Sequence, residues 1–121
     1  VVFSALLLTK PIYVTFNSQE GRDALYSIGI NVLVELNREG DLGRLIDQRN
    51  WAEISSRLSI LLPLGVSYNL TVYDEELTII NDSSISNGDL NGKSIVSIQY
   101  LLVDKTSFNF YIVRLQLAWM R

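Results

Sequence analysis

Three carboxylates stand together at Asp74-Glu75-Glu76, the grouping that general acid–base work or a hard cation requires. They lie between two strand-like stretches, where acidic residues of a turn are simply solvated. The run Asn87-Gly88-Asp89-Leu90-Asn91-Gly92 places oxygen side chains at alternate positions before a glycine, as a calcium loop does. Its twelfth position is Ile98, where such a loop needs a glutamate, and two Asn-Gly turns account for the same letters. The chain has no histidine and no cysteine, so imidazole and thiolate chemistry are absent as base, nucleophile or ligand. No serine–lysine spacing recognisable as a nucleophile and its base occurs. These residues lead to the expectation of a protein that is not an enzyme and takes no metal and no cofactor. Two acceptor sequons, Asn69-Leu70-Thr71 and Asn81-Asp82-Ser83, permit glycosylation at Asn69 and Asn81.

The elements that would hold these residues are legible from periodicity. Asn17-Ser18-Gln19-Glu20 has the form of a capping box, and Leu25, Ile28, Val32 and Leu36 follow at helical spacing. The pattern predicts a helix over 18–39, stopped by Gly40. Asp41 is placed to cap a second short helix through Leu42, Leu45 and Ile46. Asn50-Trp51-Ala52-Glu53 repeats the capping pattern for a third, which carries Trp51, Ile54, Leu58 and Leu61 and ends before Pro63.

From Val66 the period becomes two, with Val66, Tyr68, Leu70 and Val72 on one face and Ser67, Asn69 and Thr71 on the other. Leu77–Asn81 reads as a short strand pairing back as a hairpin, and 81–92 as an exposed loop. Two long strands follow, Ile95–Val103 and Phe108–Trp119, the latter with a bulge expected near Ile112 where the apolar phase switches. Helices followed by strands give an α+β fold, with the N-terminal helices packed on one face of a four-stranded antiparallel meander.

At 121 residues the chain fits one domain with a core of its own. Apolar residues make up 48% and charged residues 19%, a balance that leaves apolar surface for a partner or a bilayer. The net charge of −3 and the scattered basic residues exclude a phosphate-backbone footprint, so nucleic acid is not an expected partner.

The opening Val1–Thr9 is uncharged and is followed by Lys10-Pro11. Nine residues are too few to span a bilayer, which takes about 20. Three uses suit such a segment: core, the end of an anchoring helix, or a strand donated to a neighbouring sheet. Residues 1–16 are therefore set apart from a single α+β domain over 17–121. Val2, Phe3, Leu6, Leu7 and Leu8 are the expected self-association or anchor residues.

The apolar start, the helix GRDALYSIGINVLVELNREGDL, the passage WAEISSRLSILLPLGVSYNLTVYDEEL and the closing YIVRLQLAWMR together resemble small archaeal type IV pilin-like envelope proteins. In that family one N-terminal hydrophobic helix anchors an extracellular domain of helices followed by an antiparallel sheet. The family's processing site and most of that helix are not among these residues. The resemblance implies a structural, self-assembling protein at the cell surface, tethered to the membrane or filament-forming. Its implied partners are further copies or other envelope proteins. The alternative is a monomeric extracellular module binding a peptide or glycan, with Tyr13, Tyr73 and Tyr111 as candidate contact aromatics.

Overall fold

A computed structural model describes residues 19–91 and 93–120. The expectations placed on Val2, Phe3, Leu6, Leu7, Leu8 and Tyr13 lie outside the described residues. The fold is α+β: helices α1 (Gln19–Leu36), α2 (Asp41–Asp47) and α3 (Trp51–Leu61) precede strands β1 (Val66–Tyr73), β2 (Ile85–Asn87), β3 (Val96–Val103) and β4 (Phe110–Trp119). All strand pairs are antiparallel.

The first helix ends three residues short of the expected boundary. Glu39 takes φ 57° and Gly40 φ 80°, so the chain reverses through a single 3-10 turn over Arg38–Gly40 and enters α2 directly. Asp41 does not cap α2, whose N-cap is Gly40. Its carboxylate instead pairs with Arg44 at 3.0 Å and with Arg57 of α3 at 3.3 Å, joining the two helices. The expected cap on α3 is present, with Asn50 Oδ1 accepting from the Glu53 amide at 3.3 Å.

The sheet is not a meander; its order is β2-β1-β4-β3. β1 and β4 pair over eight residues from Val66–Trp119 to Tyr73–Ile112. Each offers an unbroken apolar face, Val66, Tyr68, Leu70 and Val72 against Val113, Leu115 and Leu117, and a strand buried in that way belongs at the centre of a sheet. The stretch Leu77–Asn81 forms only a bridge, Ile79 opposite Tyr73. Asn81 Oδ1 accepts from the Val72 amide at 2.9 Å, so a side chain takes the place of the next ladder bond. Pairing resumes with Ile85 opposite Leu70. Six residues of this edge thus answer three of β1, and three are looped out. The segment read as an exposed loop accordingly contains the edge strand β2. No bulge occurs near Ile112, because the registers of β4 with β1 and β3 run unbroken. The phase change reflects Phe110, which faces away from the core.

The chain must then cross from the β2 edge to the β3 edge, and it does so over one end of the sheet. Gly88, at φ 70°, lies so close to Ser67 that a Cβ there would stand 2.9 Å from its Oγ. Lys93 Nζ donates to the Met120 carbonyl at 2.9 Å. Ser67 and Ala118, although on the face opposite the helices, are buried at this end.

α1 packs on β3 and β4, and α3 packs on β2 and α1. Leu25, Leu33, Leu36, Ile54 and Leu58 from the helices meet Tyr68, Leu70, Leu115 and Leu117 from the sheet in one core. Among the described residues one sheet face is thereby covered and the other carries no helix.

Candidate functional site: the apolar end of the sheet

The uncovered face is divided along the strands. Toward the crossover end it carries Asn69, Thr71, Gln99, Arg114 and Gln116, all in neighbouring register positions. Toward the other end the register places Leu101, Ile112, Tyr73 and Ile79 in one row across the sheet, with Val103 opposite Phe110 beyond it. Residues directly opposite one another share a face, so this end is an apolar surface. Arg114 lies at the boundary, its guanidinium 5.6 Å from the centre of the Tyr73 ring.

Two loops extend the apolar surface, and they are built alike. Asp74 Oδ1 accepts from the amides of Glu76 (2.9 Å) and Thr78 (3.0 Å), while its carbonyl accepts from Leu77 N (3.0 Å). Asp104 Oδ2 accepts from the amides of Thr106 (3.1 Å) and Ser107 (2.8 Å), while its carbonyl accepts from Phe108 N (2.8 Å). In each loop an aspartate gathers the amides that would otherwise be orphaned. Each forces an apolar residue into the left-handed region, Leu77 at φ 65° and Phe108 at φ 62°. That conformation costs a side-chain-bearing residue about 1–2 kcal/mol. Both side chains stay mostly in water, Leu77 66% exposed and Phe108 75%, so little burial offsets that cost.

Leu77, Ile79, Leu101, Val103, Phe108 and Phe110 therefore form one exposed apolar end, two of them held there against backbone strain. Single exposed hydrophobic residues are ordinary, but six gathered at one end of a sheet mark a contact surface. Sequence reasoning named none of the six as contact residues. The signal was there: in Tyr100-Leu101-Leu102-Val103 the alternation of β3 fails, so both of its faces become apolar.

The residues singled out from the sequence are placed as follows. Asn69 is half-buried at the centre of the uncovered face, between Ser86 and Gln116. Asn81 has its amide taken up, accepting from Val72 N and donating to the Ser83 carbonyl at 3.1 Å. Glu75 and Glu76 are solvated in a turn, as read, and the Asp74 carboxylate serves its own loop. Tyr73 is half-buried, and Tyr111 is not an exposed aromatic at all, being only 3% accessible and bonded to Asp47. Among the described residues no helix is long and apolar enough to cross a membrane. No protein-family model, curated protein or solved structure matches the chain.

Proposed function

We propose that the chain has a structural, assembly role as a pilin-like protein of the archaeal cell surface, tethered or polymerised through Val2, Phe3, Leu6, Leu7 and Leu8. The apolar end of its sheet meets a neighbouring subunit. One observation carries the assembly reading: six large apolar side chains are displayed together, with Leu77 and Phe108 held in strained backbone while mostly exposed. Strain retained at an exposed position is a mark of a working surface. The order of helices followed by an antiparallel sheet is the arrangement expected of a pilin-like domain, and the apolar opening residues supply the tether that such a role needs.

The test is the oligomeric state of the full chain by sedimentation across a concentration series, beside Leu101→Lys and Phe110→Lys. Both positions are exposed, so neither change disturbs the core. Concentration-dependent oligomers that the lysines dissolve are expected. A chain that stays monomeric throughout, or oligomers indifferent to both lysines, would reject the assembly surface. Protease shaving of intact cells checks the location separately.

A further inference from the structure

β3 is an edge strand of an unusual kind. Over eight residues, Val96-Ser97-Ile98-Gln99-Tyr100-Leu101-Leu102-Val103, it holds no charge, proline or glycine, and among the described residues it pairs only with β4. Sheet edges are normally blunted by charge, proline, a bulge or brevity. The opposite edge follows that rule: β2 has three residues and follows the three-residue loop-out.

A second feature lies beside this edge. At the start of α1 the Gly21 carbonyl accepts from Trp119 Nε1 of β4 at 3.2 Å, whereas Arg22 Nη1 reaches Ser94 Oγ at 2.8 Å and the Ile95 carbonyl at 3.3 Å. The Arg22 side of the helix therefore looks toward the β3 edge. Steps of four residues keep to one side of a helix, and from Arg22 they lead to Tyr26, Ile30 and Val34. Tyr26 is 53% exposed and Val34 58%. An apolar stripe of α1 thus flanks an uncharged strand edge, and together they form half of a groove.

We propose that the open edge of β3 receives residues 12–16 of the same chain, Ile12-Tyr13-Val14-Thr15-Phe16, as a fifth antiparallel strand beneath Tyr26, Ile30 and Val34. The composition fits, since β-branched and aromatic residues fill all five positions. The phase fits too. With Phe16 beside Val96, the residues Ile12, Val14 and Phe16 share the helix-covered face with Tyr100, Ile98 and Val96, and Tyr13 and Thr15 share the other face with Gln99 and Ser97.

The connection is short. Asn17-Ser18 alone separates Phe16 from α1, whose first turn is fixed beside Ile95, so the strand meets β3 at its Val96 end. It then runs back along about 17 Å of the edge. Pro11 falls where the new strand begins, a position that tolerates the missing donor. A tethered strand avoids the association entropy that the same segment of a second copy would have to meet, which favours the chain's own residues. Strand addition stands apart from the assembly reading. Its further consequence rests on that reading: the strand would deliver Val1–Thr9 to the Val103 end of β3, beside Phe108 and Phe110, and so place tether and contact surface at one pole.

The chain contains no cysteine, so a designed pair reports without background. Full chain carrying Tyr13→Cys and Gln99→Cys is oxidised at micromolar concentration and compared with Tyr13→Cys paired with Ser86→Cys on the β2 edge. The expected result is a monomeric disulfide forming at least tenfold faster for the first pair. Dimers linked through that pair would transfer the strand to a second copy, and equal rates or no bond would remove it from the edge. Amide exchange gives an independent reading: Val14→Pro should speed exchange of the outward amides within Val96–Tyr100 by tenfold or more while leaving β1 unchanged. Unaltered exchange in β3 overturns the proposal. Both readings are taken on monomer, so a chain that never oligomerises would reject the assembly surface and still leave the fifth strand to be judged.

Discussion

The hydroxyl of Tyr111 in β4 donates a 2.7 Å hydrogen bond to Oδ1 of Asp47, the last residue of α2. The same oxygen accepts from Ser107 Oγ and Asn109 Nδ2, each at 3.0 Å. One carboxylate oxygen therefore fastens the loop that presents Phe108 to the helical layer. Removing the hydroxyl with Tyr111→Phe leaves the buried ring in place and takes away a charge-assisted bond. A loss of about 1–2 kcal/mol in urea unfolding is expected, and an unchanged midpoint would show that the bond contributes nothing to folding.

The same pair contributes to the pH response on both sides of neutrality. Hydrogen bonds from Tyr111 first, then Asn109 and Ser107, hold the Asp47 carboxyl below its ordinary value of 3.8. The unfolded chain then binds a proton that the native state refuses, so this contribution is present above the ordinary value and is lost as pH falls through the lowered one. Tyr111 moves the other way: burial first, and then its bond to Asp47, push its hydroxyl above 10.0. That contribution is complete below pH 10 and disappears as pH rises through the raised value. A thermal melt series across pH should show both limbs, with Tyr111→Phe reducing the acid limb and abolishing the tyrosine share of the alkaline one. Identical profiles for the two proteins would refute the linkage.

Phe108 separates stability from association. Replacing it with glycine removes a side chain that is mostly in water and frees the left-handed backbone at φ 62° from its Cβ. Phe108→Gly should therefore be more stable by about 1 kcal/mol, the strain less the added entropy of the unfolded glycine, and should self-associate more weakly. A variant that loses stability would mean that the ring packs on its own chain after all.

Gly29 marks where α1 lies closest to the sheet. A Cβ at this position would run into Ile98 Cδ1 and stand 3.0 Å from Leu117 Cδ1. Both obstacles are ends of side chains, so Gly29→Ala should be accommodated at about 1–3 kcal/mol. Ile98→Ala opens the space that the new methyl needs, and the double variant should be more stable than the two single losses predict. Strict additivity in that cycle would place the helix farther from the sheet.

By itself the sequence determined what depends on near neighbours along the chain. The helix α3 and its Asn50 cap, the alternation of β1, β3 and β4, and the antiparallel α+β class follow from side-chain period and local hydrogen bonding. The end of α1 shifted where backbone geometry intervened, at Glu39 and Gly40. The tertiary structure alone decided which strands became neighbours. Two strands beginning at Val66 and Phe110 pair because their unbroken apolar faces both need the centre, and no local pattern compares segments so far apart. The same long-range choice leaves β3 at an edge and lines up Leu101, Ile112, Tyr73 and Ile79 in one row. The apolar end exists only once strands distant in sequence lie side by side, so the doubled apolar faces of Tyr100–Val103 mark apolar residues in the sequence without telling which other residues join them in a surface.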